Sequence, residues 1–288
     1  MAGRPAGRWG LARAVVCGLV LAGMLAGCTR LVLSQLDWLA VWYANTYVSL
    51  SEPQRALVRD SVRRNVATFR QEQLPDFLAV IGGLRADLAV PSTPAIVGQR
   101  FGELEVLGRQ TLALFVPDTV LLLRSLSPDQ VDELFSTFAE NAAELAEDYS
   151  GTTPESRRER QARSVLKLTR RLTGNLSSAQ ESLVREQLAR LHDLAPQWLE
   201  RRAAWQQELR AALTGPRTSP EFDAQVASLV LDPDQFDSPA YRRRVAENRV
   251  VVYELVAALL ESLTPTQRAH VDRRLAEYER NLLALTST

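Results

Sequence analysis

Apolar residues recur at steps of three and four along most of this chain, and that spacing restricts it to packed helices. After Ser127, the residues Val131, Leu134, Phe135, Phe138, Ala142, Leu145 and Tyr149 fall on one helical face. Asp132, Glu133, Glu140 and Glu144 fall on the others. Ala179, Leu183, Val184, Leu188 and Leu191 repeat the pattern, as do Val245, Val252, Leu255, Leu259 and Leu260. Val58, Val62, Val66 and Phe69 give the expected buried face of an Arg-rich helix carrying Arg55, Arg59, Arg63 and Arg70. Strand-like alternation is almost absent, and no Asn-Gly or Asp-Gly hairpin turn occurs. The breakers Pro91–Pro94, Gly151–Pro154, Thr214–Pro216 and Asp232-Pro233 leave connections only a few residues long. The expected fold is all-α, an irregular bundle of about ten helices.

One motif recurs four times, each copy ahead of an amphipathic stretch. It reads Leu50-Ser51-Glu52-Pro53-Gln54, Leu126-Ser127-Pro128-Asp129-Gln130, Leu176-Ser177-Ser178-Ala179-Gln180 and Leu263-Thr264-Pro265-Thr266-Gln267. A Ser or Thr N-cap accepts from an unpaired N–H of the first turn, and Gln three residues on bonds back to the cap's own N–H. Pro128 and Pro265 take the first helical position, where a missing N–H does no harm. Ser51, Gln54, Ser127, Gln130, Ser177, Gln180, Thr264 and Gln267 are therefore expected to be helix-capping residues. The copies are too unevenly spaced for a solenoid, whose repeat length is nearly fixed.

The N-terminus carries an address. Arg4, Arg8 and Arg13 precede an uncharged apolar run from Ala14 to Gly27, the layout of a secretory signal. That run is shorter than the roughly 20 residues a membrane span needs. It ends in Leu25-Ala26-Gly27-Cys28, which resembles the lipobox of bacterial lipoproteins. The resemblance implies removal of residues 1–27, leaving 28–288 as one helical domain. It also implies a covalent diacylglycerol and an N-acyl chain on Cys28, with no other cofactor. Several acyl chains together give stable attachment where one does not. Thr29 stands where inner-membrane retention involves Asp, so the sorting rule of such lipoproteins points to the outer membrane, with the domain facing the periplasm. Cys17 lies in the signal, so the mature chain has no second thiol to pair with Cys28.

Leu31 to Leu50 is apolar nearly all round, yet Ser34, Gln35, Asp37, Asn45 and Thr46 make it too polar for a membrane span. A helix buried between others is the favoured expectation. A helix on the membrane surface is the alternative, because the rings of Trp38, Trp42, Tyr43 and Tyr47 suit an interface.

Signals for chemistry are sparse. The chain has 34 basic and 34 acidic side chains, and losing three Arg with the signal leaves a small negative excess. Nucleic-acid binding, which needs a clearly basic surface, is not expected. His192 and His270 lack a second His one turn away, so no metal site is expected; His192 is read as a helix-end residue. Asp232-Pro-Asp234-Gln-Phe-Asp237 opens like a calcium loop but lacks its Gly and closing Glu, and is read as a turn capping the next helix. The Arg157–Arg171 run is mixed in sign and is read as a solvated face. No catalytic motif is found, and the protein is not expected to be an enzyme.

Two resemblances bear on function. The repeated motif resembles the LTxxQ signature of the periplasmic chaperones and stress adaptors of the Spy and CpxP group, which implies a helical cradle for unfolded clients or a sensor. More broadly, the lipobox, the stretch from Leu36 to Arg55, the Arg-rich helix, Gln73-Leu74-Pro75 and the run Glu155 to Arg163 resemble an uncharacterised family of Gram-negative helical lipoproteins with a domain of unknown function. This second resemblance implies anchor and fold but no activity. The expected role is a non-enzymatic envelope lipoprotein whose domain binds a protein partner or clients. A chaperone and an envelope hydrolase are the alternatives.

Overall fold

The computed structural model describes residues 35–284, so the signal and Cys28 lie outside the described residues. All regular structure among the described residues is helical. The helices are α1 (Leu36–Asn45), α2 (Glu52–Thr68), α3 (Leu74–Asp87), α4 (Pro94–Arg124), α5 (Pro128–Ser150), α6 (Pro154–Thr173), α7 (Ser178–Ala189), α8 (Ala195–Thr214), α9 (Pro220–Leu231), α10 (Pro239–Glu261) and α11 (Pro265–Leu283). A π-turn, Phe69–Gln73, joins α2 to α3 just before Pro75. Pro75 has no N–H to continue the ladder, and a widened turn absorbs the lost bond. A 3₁₀ turn, Pro233–Phe236, joins α9 to α10.

Helix α4 is the spine and packs against α2, α3, α9 and α10. It is 31 residues long and apolar enough to cross a membrane by length and composition, with mean hydropathy 1.4 in its most apolar window. Here it is held within the domain by charge pairs as well as by packing. Arg100 pairs with Asp87 of α3, Arg109 with Asp232, and Arg124 with Asp223. The main core gathers Leu126, Val131, Leu134, Phe135 and Phe138 with Leu209, Leu213, Phe222 and Val226, so the stripe expected on α5 is buried along its first half. A second core joins Ala162 and Leu166 of α6, Val184 and Leu188 of α7, and Leu255 and Leu259 of α10.

Two expectations are corrected here. The Arg-rich helix α2 does not bury a valine face; its fully buried side chains are Gln54, Ser61 and Asn65. Ser61 and Asn65 point at a carboxylate on α4. Ser61 Oγ donates to Asp118 Oδ2 at 2.7 Å, Asn65 Nδ2 to the same oxygen at 3.1 Å, and Arg64 to Oδ1 at 2.7 Å. Hydrogen bonding to a fixed acceptor wins over apolar burial there, because a carboxylate only 14% exposed is costly to leave without partners.

The described part of the 31–50 stretch, residues 35–50, is likewise not a helix buried between others. Helix α1 lies on the surface against α2, and Val41 is its one buried residue. Tyr43 and Tyr47 turn inward, hydroxyl to hydroxyl at 3.0 Å, with Tyr47 edge-on to Phe138. Trp38 and Trp42 point outward, 57% and 50% exposed.

Candidate functional site

All four repeated motifs form the capping box, and the structure gives them a second task. The copies pair. Gln54 and Gln130 form a reciprocal amide dimer, with Nε2 to Oε1 distances of 2.9 and 2.7 Å. Gln180 and Gln267 form another, at 3.1 and 3.0 Å. Each glutamine Oε1 also accepts its own cap N–H, from Ser51, Ser127, Ser177 and Thr264. Each Nε2 also donates to a carbonyl two residues before the partner's cap. These acceptors are Ser125 for Gln54, Ser49 for Gln130, Ser262 for Gln180 and Asn175 for Gln267. The amide orientation is fixed, because cap N–H groups demand the oxygen and backbone carbonyls demand the nitrogen.

The repeat is therefore longer than the capping motif. It reads Ser or Asn, Leu, Ser or Thr, any two residues, then Gln, starting at Ser49, Ser125, Asn175 and Ser262. Leu50, Leu126 and Leu263 are buried beneath their clasps. At Asn175 the preceding residue, Gly174, has φ +83°, a conformation that only glycine adopts without strain. That turn ends α6 and presents the Asn175 carbonyl to Gln267.

Pairing also explains the uneven spacing. The first two copies are 76 residues apart and the last two 87, and each pair closes a similar frame. In the first frame α2 packs on α4 and α5 follows; in the second α7 packs on α10 and α11 follows. The frames interlock: α4 packs on α10, α5 reaches α8, and α11 reaches α3. The chain is thus built from two halves of like design rather than from a solenoid.

Between the clasps the halves differ. Counting from Gln54 and Gln180, Val58 corresponds to Val184; counting back from Ser125 and Ser262, Asp118 corresponds to Leu255. The first half has polar rungs where the second has its apolar core. Further along, Thr111 Oγ1 donates to the buried Gln73 at 2.8 Å, so the polar seam runs from the clasp to the π-turn.

The other sequence candidates are scattered. His192 accompanies Glu247 at 2.8 Å, and its backbone exchanges two hydrogen bonds with Asn248. It fastens the α7–α8 loop to α10. His270 lines a cleft of about 420 Å³ beside the second clasp, whose glutamine polar atoms are already paired. The Asp232–Asp237 turn does not cap α10; Ser238 does. Asp232 takes Arg109, and Asp237 takes Arg201 in a largely buried pair at 2.5 Å. In the Arg-rich run, Arg157 lies over the Tyr149 ring and, with Tyr149, binds Asp193. Burial alone would raise the Asp193 carboxyl, but the Ala195 N–H, Tyr149 and Arg157 outweigh it and hold it below its usual range. Among the described residues no group of His, Cys, Asp and Glu is placed to hold a metal ion.

Exposed apolar side chains are the remaining feature. On α4 they are Phe101, Leu104, Val106, Leu112 and Leu121. Phe101 stacks on Tyr253 at 5.3 Å and Glu105 pairs with Arg249, which sets Val250, also exposed, at the same α4–α10 seam. Composition alone marked α4 as apolar, but only the packing shows which of its side chains remain outside.

No curated protein and no solved structure matches this sequence. The likeness of the repeated motif to the Spy and CpxP group finds no support, and the glutamine that carries it is occupied within the fold. A family of unknown function, DUF6279, matches residues 46–242, which include three of the four clasp glutamines. That match spans well over half of the sequence, and the chain belongs to this family.

Proposed function

We propose that the chain is a non-enzymatic lipoprotein of the bacterial envelope, held at the outer membrane through acylated Cys28, whose domain binds a protein partner along α4. The observation that supports this reading is the exposed apolar surface of α4. Phe101, Leu104 and Leu112 are 38–46% exposed and fall on one face of a helix packed against four neighbours. Fully burying a side chain of this size contributes about 1.5–3 kcal/mol, and roughly half of that is left to gain at each of these half-buried positions, which gives a partner helix a reason to seat there.

A photo-activated amino acid placed in living cells at Leu104 and Leu112 tests it, with Glu208 on α8 as the control position. The expected result is one discrete adduct from the α4 positions and none from the control. Equal labelling from both faces, or none from either, overturns the partner reading. A ladder of unrelated adducts moves the reading to a client-binding chaperone.

The anchor makes a separate prediction. Cys28→Ala leaves an unprocessed precursor that takes up no labelled palmitate, while the native chain is shortened and labelled. Label persisting in the variant removes the lipoprotein assignment.

A further inference from the structure

We infer that α1 is a membrane-contact helix, with Trp38 and Trp42 inserted among the headgroups of the bilayer that holds Cys28. The exposed residues of this segment are Gln35, Trp38, Trp42 and Asn45. Their spacing puts all four on one helix face, two indoles flanked by two amides. The rest of α1 is partly or wholly covered by the domain. Val41 is buried, and Tyr43 and Tyr47 hold each other beside Phe138.

Two large indoles left outside while two smaller rings turn in is not what burial alone would choose. Indole is suited to a boundary that is apolar below and wet above. A helix lying in that boundary sinks its apolar face by about 5–10 Å.

The occupant follows from the covalent chain. Leu36 lies eight residue steps after Cys28, and an extended chain spans at most about 3.3–3.6 Å per residue. An acylated Cys28 therefore keeps α1 within about 30 Å of the lipid surface. The intervening Leu31-Val32-Leu33 is apolar. A basic group flanks the helix as well. Arg63 on α2, the helix packed against α1, pairs with Asp37 of α1 and is still more than half exposed. Guanidinium groups suit the phosphates of lipid headgroups.

Asp37 does not oppose this arrangement. Arg63 grips it with two bonds of 2.7 and 3.0 Å. Burial would raise the Asp37 carboxyl, yet Arg63 and the Trp38 N–H outweigh that and hold it below its usual range. It therefore enters as half of an ion pair. The geometry turns a covalent tether into a docked orientation and fixes which face of the domain looks away from the membrane.

This inference rests on the acylation of Cys28, so acylation is established first by palmitate labelling. The full lipoprotein is then reconstituted into phosphatidylethanolamine–phosphatidylglycerol vesicles carrying brominated phosphatidylcholine. Trp198→Phe/Trp205→Phe confines the mature chain's indole signal to Trp38 and Trp42. The expected result is blue-shifted emission that loses most of its intensity to the bromine. In the complementary variant, Trp38→Ser/Trp42→Ser, the remaining indoles keep their intensity and the protein stays folded and vesicle-bound. Labelled protein whose Trp38 and Trp42 emission is red-shifted and unquenched overturns the inference while leaving the anchor intact. Blue-shifted emission without quenching overturns it too, since a protein partner or a second copy would then cover the helix. Absence of palmitate would instead remove the anchor itself.

Discussion

Gln54→Glu lowers the melting temperature of this protein by about 6–12 °C, even though a capping box accepts glutamate as readily as glutamine. Were capping the whole role of Gln54, the change would be neutral or slightly stabilising, because a carboxylate suits a helix N-terminus. In the clasp it removes two donors. The Ser125 carbonyl and Gln130 Oε1 then face an anion, and Gln130 cannot flip without giving up the Ser127 N–H. Leaving such groups unpaired at a buried position costs about 3 kcal/mol. For a domain of this size that corresponds to the stated shift. Thermal unfolding followed by circular dichroism reads it directly, with Ser51→Ala as the reference for losing the cap alone, about 1 kcal/mol.

The pH dependence of the same variant carries the opposite sign to an ordinary paired carboxylate. The introduced carboxyl is buried and faces acceptors, so its folded pKa is raised and the penalty is fully present above that value. It shrinks as pH falls through it, because a protonated carboxyl donates again to Ser125. A Gln54→Glu protein that melts like the native one at neutral pH shows the clasp to be unimportant and the motif to be a cap and nothing more.

Local chemistry was readable from the chain; the meeting of distant segments was not. Helix starts at Ser51, Ser127, Ser177 and Thr264 follow from short-range rules, and each forms its capping box. The pairing of Gln54 with Gln130 crosses 76 residues and leaves no periodic trace, since the intervening helices differ in number between the halves. A clue was present one residue before each motif, where Ser49, Ser125, Asn175 and Ser262 recur. A cap has no use for that position, so capping logic passes over it.

Helix α2 misled for a related reason. Periodicity ranks faces by apolar content, and Val58, Val62 and Val66 outrank Ser61 and Asn65 until Asp118 arrives from α4. For α1, composition identified four rings suited to an interface and could not separate them. Tyr47 has Phe138 to pack on, and the two indoles do not.

The second large effect is expected at Asp118, where the halves diverge. Asp118→Leu installs the residue that the second half carries at Leu255, and it still destabilises by roughly 2–4 kcal/mol. Ser61 and Asn65 are buried and lose their shared acceptor, whereas Arg64 is exposed enough to turn to water. The loss therefore belongs to the abandoned partners and not to leucine as such. Adding Ser61→Ala and Asn65→Leu removes those partners, and replacing a whole buried polar network with apolar groups is often neutral or stabilising. Denaturant midpoints of the single and triple variants measure the difference; a triple variant no better than Asp118→Leu shows that the seam needs its polar geometry. A recovered triple variant separates two reasons for keeping the rung. If it also retains the α4 crosslink, Asp118 is one packing solution among several. If it is stable and loses the adduct, the polar seam sets the position of α4 for its partner, and the two halves differ because one of them presents the binding face.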